Sequence, residues 1–356
     1  MTGGLAETMR SEPAPHCLCC GVEGRVLYSA LSDLLYGISG EWDVRQCEAC
    51  GLLWLDPMPV ASDIGLAYAT YHTHASDAGV THSSKLARSK GAARAAILSA
   101  YYGYRSHNDH GWIQPIGRAL GALRPLRNAA GSYVMWLQAA PGARPLDVGC
   151  GNGRLLARLS GLGWSVSGVE PDREAAGVAA GAADCVVFPG DLLSAGFAAD
   201  SLDAVISRHV IEHLRNPVEV LRECWRILKP GGELVVVTPN ALGLGHRHFR
   251  QHWFGLDPPR HLRVFTPDSL LLSAEQAGIA SPSLRTVASW ARTSWRGSRL
   301  TQEAAGRPGD RVSDLVERTP TARQRLEAMG FYLLEELMLA LSSEVGEEIV
   351  MSARKV

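Results

Sequence analysis

Apolar residues change their spacing along this chain, and the change divides it. From residue 145 onward, short apolar runs alternate with stretches whose apolar positions recur every three or four residues. That alternation predicts βαβ units and a parallel sheet. The predicted strands are 145–149, 164–170, 185–188, 202–207 and 233–238, with 284–289 and 347–353 as two final ones. The helix after the first strand carries Leu155, Leu156, Leu159 and Leu162 on one face. A later helix carries Leu221, Cys224, Trp225 and Leu228 and stops at Lys229-Pro230-Gly231-Gly232, a helix-ending combination. Another opens at Thr266-Pro267-Asp268-Ser269, with Thr as N-cap and Pro in the first helical position. Before the last strand, an insertion at 290–343 reads as mostly helical and includes an apolar face of Leu326, Leu333, Leu337 and Leu341. Upstream, the spacing predicts a helix over 84–101, and Pro115, Pro125, Pro141 and Pro145 punctuate a connecting region.

Composition adds bounds. Hydrophobic residues at 46% and charged residues at 20% are ordinary for a chain with an extensive core. The net charge of −1 hides an asymmetry: residues 1–80 hold ten acids against three Arg, and residues 81–144 hold nine Lys or Arg against Asp109 alone. Such a block reads first as a solvated face and second as a site for an anionic substrate. Residues 1–16 lack the basic and apolar regions of a signal peptide. The strongest apolar run, 331–341, is broken by Glu335 and Glu336, so a membrane span is not expected. Eight cysteines without an export signal favour thiols and metal ligation over disulfides, which predicts a cytoplasmic protein.

The first chemical landmark is Leu146-Asp147-Val148-Gly149-Cys150-Gly151-Asn152-Gly153, at the end of one predicted strand and the start of a helix. Glycines there let the backbone turn sharply and leave room for a ligand. Glu170 ends the next strand, where a carboxylate can meet two ribose hydroxyls. The order of these pieces predicts an adenosine-containing ligand. A dinucleotide fingerprint would need glycine where Arg154 stands, which argues against a nicotinamide-linked oxidoreductase.

Residues 147–153 resemble motif I of the class I S-adenosylmethionine-dependent methyltransferases. The resemblance continues through Gly168-Val169-Glu170-Pro171, Gly190-Asp191-Leu192, Leu202-Asp203-Ala204-Val205, His209-Val210-Ile211-Glu212-His213 and Leu228-Lys229-Pro230-Gly231-Gly232. It covers 145–290 and returns at the last strand. It implies an α/β fold: a doubly wound, Rossmann-like domain of seven strands with its closing strand pair antiparallel. It also implies that Gly149, Cys150 and Gly151 approach the methionine end of S-adenosylmethionine. Glu170 would hold the ribose, Asp191 and Leu192 would flank the adenine, and Asp147 would orient the loop or the cofactor's amino group through water.

His209, Glu212 and His213 also spell the inverted zinc-protease motif H-x-x-E-H. Its position directly after a strand, where the methyltransferases carry similar histidines, argues against a hydrolase. His209, His213 and His261 are candidate general bases for a hydroxyl nucleophile, since imidazole titrates near ~6.5. Capping a helix or bonding a loop is the alternative role for each. The stretch from His246 to Arg263 interleaves basic and aromatic residues, a pattern that can contact an anion or nucleic acid. Its 257–262 segment resembles one found in bacterial methyltransferases of glycan and secondary-metabolite pathways. A small anionic or sugar-like substrate is therefore expected, and nucleic acid is disfavoured by the near-zero net charge.

Cys17, Cys20, Cys47 and Cys50 form two C-x-x-C-G units, able to place four thiolates around one zinc at about 2.3 Å. Cys19 could replace a neighbour. The arrangement resembles the N-terminal metal-binding module of bacterial sugar methyltransferases. Together these readings predict a zinc-ribbon-like module at 1–70, a helical connection at 71–140 and a methyltransferase domain at 141–356. The predicted activity is methyl transfer to a sugar, glycan precursor or secondary metabolite. A non-catalytic partner that binds the same cofactor is the alternative from another class.

Overall fold

The computed structural model describes residues 9–68, 85–104, 111–306, 312 and 320–356. The expected domain boundary near 70 and the expected helix start at Ser84 lie outside them. In chain order the elements begin with β1 (Ser11–Glu12), β2 (Arg25–Leu31), β3 (Trp42–Gln46), β4 (Leu53–Asp56) and β5 (Met58–Pro59), followed by α1 (Lys85–Tyr102), α2 (Ile113–Gly121) and α3 (Arg124–Tyr133). Next come β6 (Pro145–Val148), α4 (Arg154–Ser160), β7 (Ser167–Glu170), α5 (Arg173–Ala183), β8 (Val186–Pro189), β9 (Leu202–Arg208), α6 (Pro217–Ile227) and β10 (Leu228–Pro239). The chain ends through α7 (Leu244–Phe249), β11 (Arg263–Val264), α8 (Pro267–Gln276), β12 (Ser283–Val287), α9 (Ala291–Ala305), α10 (Ala322–Leu341) and β13 (Glu348–Arg354).

Seven strands form one sheet in the order β12-β13-β10-β9-β6-β7-β8, the doubly wound α/β arrangement expected. The chain divides into two compact units. One comprises Met1–Tyr71, His209–Leu221 and Val237–Met351; the other comprises His72–Arg208, Arg222–Val236 and Ser352–Val356.

In the second of these, β6 pairs in parallel with both β7 and β9, and β7 with β8. All four residues of β6 are buried, as a strand covered on both faces requires. Leu156 of α4 and Ala179 and Ala183 of α5 pack with Cys150 in one cluster. The basic block includes Arg94 and Arg127, which stack on Tyr133 and Tyr101 at 3.8 and 5.4 Å from the ring centroids. One prediction fails locally. Lys229-Pro230-Gly231-Gly232 is part of β10, not a gap between helix and strand. Gly231 donates to the Lys355 carbonyl at 2.7 Å and Lys355 donates back to that of Gly232 at 2.9 Å, a pairing with the far C-terminus that no local pattern reveals.

In the first unit, β11, β4, β3 and β2 form an antiparallel sheet in that order. Trp42, Val44, Leu53 and Leu55 of this sheet share a core with Phe249, Trp253, Leu256 and Leu262. The cysteine-bearing segment is thus packed against the stretch that follows β10. The α10 helix also departs from expectation. It buries Ala328, Phe331, Glu335 and Leu339, whereas Leu326, Leu333, Leu337 and Leu341 are exposed.

Candidate functional site

The glycine turn after β6 is closed by its acidic partner. Glu170 Oε2 accepts from the Gly151 amide at 2.8 Å, and Oε1 accepts from Asp172 at 3.1 Å. Gly149, Gly151 and Gly153 have φ of 69°, 53° and 76°, values that favour glycine. At Gly153 a Cβ would come within 2.6 Å of the Ala179 Cα, so glycine also permits α4 to approach α5. At Gly151 a Cβ would meet nothing within 4 Å, which leaves open space beside the Glu170 carboxylate. A carboxylate oxygen has two acceptor sites, so each oxygen of Glu170 keeps one for a hydroxyl. These features fit an adenosyl ligand.

Asp147 is buried beneath the turn. Burial pushes its carboxyl up to about 7, with Arg208 opposing and Glu170 adding to the rise. The Cys150 side chain is buried in the α4–α5 cluster, and burial raises its thiol, so a role at the ligand falls to its backbone. Asp191 is exposed and accepts from the Ser194 amide at 2.7 Å, while Leu192 beside it is buried.

In the other unit the structure brings His209, His213 and His261 close to Glu212. His209 directly follows β9 with φ of 53°, an uncommon conformation for a residue with a Cβ. Its Nδ1 lies 3.2 Å from Glu212 Oε1 and its Nε2 lies 2.9 Å from Glu348 Oε1. Burial disfavours its charge, but the bonds to Glu212 and Glu348 outweigh that and raise it to about 9. At neutral pH His209 is therefore an imidazolium donating to two carboxylates. Glu212 is fully buried, and its other oxygen accepts from Thr238 Oγ1 at 2.9 Å.

His213 and His261 are different. Nδ1 of His213 lies 2.9 Å from the Arg260 carbonyl, and Nδ1 of His261 lies 2.8 Å from the Gly255 carbonyl. A carbonyl only accepts, so both Nδ1 atoms carry the proton and both Nε2 atoms keep a lone pair. Burial first, then the nearby His261, lowers His213 to about 4. The two rings meet edge to face at 4.7 Å.

Several members of this site carry no sequence signal of their own. Tyr68 Oη lies 2.9 Å from His213 Nδ1. Arg260, read above as part of a basic stretch open to an anion, is only 1% exposed. Its guanidinium bonds Asp33 at 2.9 and 2.7 Å and Asp257 at 3.0 Å. Arg263 is also buried and donates to the Leu214 carbonyl. Arg247, His248 and Arg250 remain exposed. The composition 257–262 flags Asp257, but nothing marks Asp33, Tyr68 or Glu348 in advance.

The four thiols of Cys17, Cys20, Cys47 and Cys50 lie within 4.8 Å of one another, and Cys17 and Cys50 are 3.7 Å apart. Tetrahedral zinc with bonds of about 2.3 Å needs sulfurs about 3.8 Å apart. The donor set therefore fits the ion. The two knuckles are alike: Gly21 donates to the Cys17 carbonyl at 2.8 Å and Gly51 to that of Cys47 at 2.9 Å. Cys19 is outside that group of four, and its Sγ lies 3.4 Å from Ser273 Oγ. Glu212, His213 and His261 also present ligand atoms within 4.8 Å of one another. His209 is outside that group, so the spacing H-x-x-E-H does not act as a zinc pair here.

A doubly wound seven-stranded sheet with a glycine turn closed by a strand-end carboxylate defines a methyltransferase-type α/β domain. Residues 104–280 match the family described as "Methyltransferase domain", and this part of the chain belongs to it. Among curated relatives, the ubiquinone biosynthesis O-methyltransferase of Xanthomonas campestris pv. campestris (strain B100) is 36% identical over 130 residues, which are 35% of this chain and 53% of that protein. The protein of the same name from Dinoroseobacter shibae is 28% identical over 193 residues, 47% of this chain and 77% of that one. The chain thus spans about half the length of the first of these relatives. A solved methyltransferase from Thermotoga maritima, described as a possible histamine N-methyltransferase, overlays with a TM-score of 0.42 at 19% identity, over 69% of this chain and 97% of that one. Among the described residues, no helix is long and apolar enough to cross a membrane.

Proposed function

We propose that this protein transfers a methyl group from S-adenosylmethionine to an oxygen of a small molecule. The methyltransferase domain at 104–280 carries the reading, and the glycine turn closed by Glu170 supports it. Glu170 would take the ribose hydroxyls, Asp147 the amino group, the backbone of Gly149, Cys150 and Gly151 the methionine portion, and Asp191 and Leu192 the adenine. The cofactor supplies an electrophilic methyl on a sulfonium, so the acceptor oxygen forms the new bond as the carbon–sulfur bond breaks. The acceptor's proton then needs a base. His213 and His261 are suited to it, because their Nδ1–H groups are committed to carbonyls and Nε2 is left free. His209, already protonated, would instead hold Glu212 in place. The acceptor class is a sugar, glycan precursor or secondary metabolite with a free hydroxyl, and the exposed Arg247 and Arg250 suit an anionic one. A structural zinc at Cys17, Cys20, Cys47 and Cys50 completes the reading.

The test is incubation with methyl-labelled cofactor and a panel of hydroxylated metabolites, read by mass spectrometry. Label should enter a product, and His213→Ala or His261→Ala should lower turnover by ~100-fold with affinity for S-adenosylhomocysteine kept. Absence of labelled product with every acceptor class, despite tight cofactor binding, would favour a non-catalytic partner. Full turnover in both folded variants would remove histidine from the proton transfer.

A further inference from the structure

We infer that Glu212, His213 and His261 form a second metal site, for a divalent transition-metal ion such as zinc, distinct from the four thiols. Each residue offers one ligand atom, and the three atoms lie within 4.8 Å of one another. Tetrahedral zinc bound through nitrogen and oxygen at about 2.0–2.2 Å needs donors roughly 3.4 Å apart, within reach of small ring rotations. Imidazole donors favour zinc, nickel and copper over magnesium or calcium. Two imidazoles and one carboxylate leave a fourth position open, whereas four thiolates close theirs. With one anionic ligand against four, this site binds more weakly than the thiols and fills second.

The groups around the three donors hold them as ligands are held. A metal-bound histidine donates its other ring N–H to an oxygen, which fixes the tautomer and the ring. Both rings do this: His213 Nδ1 donates to the Arg260 carbonyl at 2.9 Å, and His261 Nδ1 to the Gly255 carbonyl at 2.8 Å. The lone pair of each ring is therefore on Nε2. The carboxylate is fixed in the same way. Glu212 is fully buried, with Oε1 3.2 Å from His209 Nδ1 and Oε2 2.9 Å from Thr238 Oγ1. Each oxygen has a second acceptor site, so one can face an ion without losing its partner. Neighbouring charges do not repel a cation. Arg260 is matched by the carboxylates of Asp33 and Asp257, and His209 by those of Glu212 and Glu348. His213 is only half-buried, which leaves an approach for the ion. All of these residues belong to one compact unit. The consequence for activity rests on the reading of His213 and His261 as proton acceptors. An ion on both Nε2 atoms takes the lone pairs that would receive the acceptor's proton, so excess zinc should inhibit methyl transfer.

Cobalt(II) is the probe, added to the full-length protein after its thiols have been loaded with zinc. One further equivalent should bind and give visible absorption bands without the near-ultraviolet sulfur-to-cobalt band, since no thiolate takes part. His261→Gln, which keeps a donor for the Gly255 carbonyl, and His213→Ala should each weaken that equivalent by ~100-fold or more, because losing a ligand costs at least as much as losing its outer partner. Zinc retained at the thiols in both variants shows that they are folded. A wild-type chain that binds no cobalt beyond the thiols overturns the site. So does a second equivalent that shows the sulfur band or is indifferent to both substitutions. Zinc beyond the first equivalent should also lower turnover by ~10-fold or more. Full turnover with the second ion bound would instead remove the histidines from proton transfer, while the absorption bands would still identify the site, so the two readings fail separately.

Discussion

Two ionisable residues make stability fall as pH rises, each in its own window. Asp147 is held up at about 7 by burial, against an unfolded value near ~3.9. Between those values the folded state holds a proton that the unfolded state releases, so stability contributed by this group declines as pH rises through that window. Above about 7 the carboxylate is charged and suited to a cofactor's amino group. Binding of S-adenosylhomocysteine should therefore tighten from pH 6 to pH 8, and Asp147→Asn should melt higher at pH 8 while binding more weakly. Calorimetry and a melting curve on the same samples decide it; a variant that binds normally at both pH values would remove Asp147 from the site. Glu170→Ala should cost about 1.5–3 kcal/mol of charged hydrogen bonding, or one to two decades of affinity. His209 runs in the same direction at higher pH. Its value is raised to about 9, so the stability it contributes is complete below ~6.5 and lost as pH rises through 9. The melting temperature should fall between pH 7 and pH 9.5 in the wild type and fall less in His209→Gln. An equal fall in both would mean that the bonds to Glu212 and Glu348 contribute no net stability.

At the scale of elements, what could be read from the sequence was what is local. The run from Leu146 to Gly153 and the acid at Glu170 lie within one βαβ unit, so spacing alone places them together, and the hydrogen bond from Gly151 to Glu170 follows from that proximity. The paired knuckles were legible for the same reason, because each C-x-x-C-G closes its own turn. The histidine cluster was not. His213 and His261 come from different segments and are fixed by carbonyls, which leave no trace in residue identity. Asp33 meets Arg260 across 227 positions of sequence, so a basic residue that looked available is committed to two acids. Two element predictions failed for related reasons. The turn after α6 became part of β10 because it pairs with Lys355, and α10 buries the face with Phe331 because its neighbours fill that side. Periodicity identifies apolar faces but does not say which of two is covered.

At the scale of the molecule, the thiol cluster and the histidines belong to one compact unit, while the glycine turn and Glu170 belong to the other. Within the first unit the connection is physical. The knuckles flank the sheet whose Trp42, Leu53 and Leu55 share a core with Trp253 and Leu262. Asp33, in the loop between β2 and β3, accepts three backbone amides as well as the Arg260 guanidinium. Arg260 in turn gives its carbonyl to His213. Zinc at a small module contributes about 10–16 kcal/mol to its folding. Removing it should therefore loosen the sheet, release the loop that carries Asp33, and free the histidine that needs the Arg260 carbonyl for its tautomer. Protein prepared without oxygen should hold one zinc, and chelation should abolish methyl transfer while S-adenosylhomocysteine still binds within about twofold, because Glu170 and the turn lie in the other unit. Elemental analysis, activity and calorimetry on the same chelated sample provide the check. Activity that persists with less than about a tenth of an equivalent of zinc would show that the thiols do not need the ion. Loss of cofactor binding in step with activity would show that the two units fold as one.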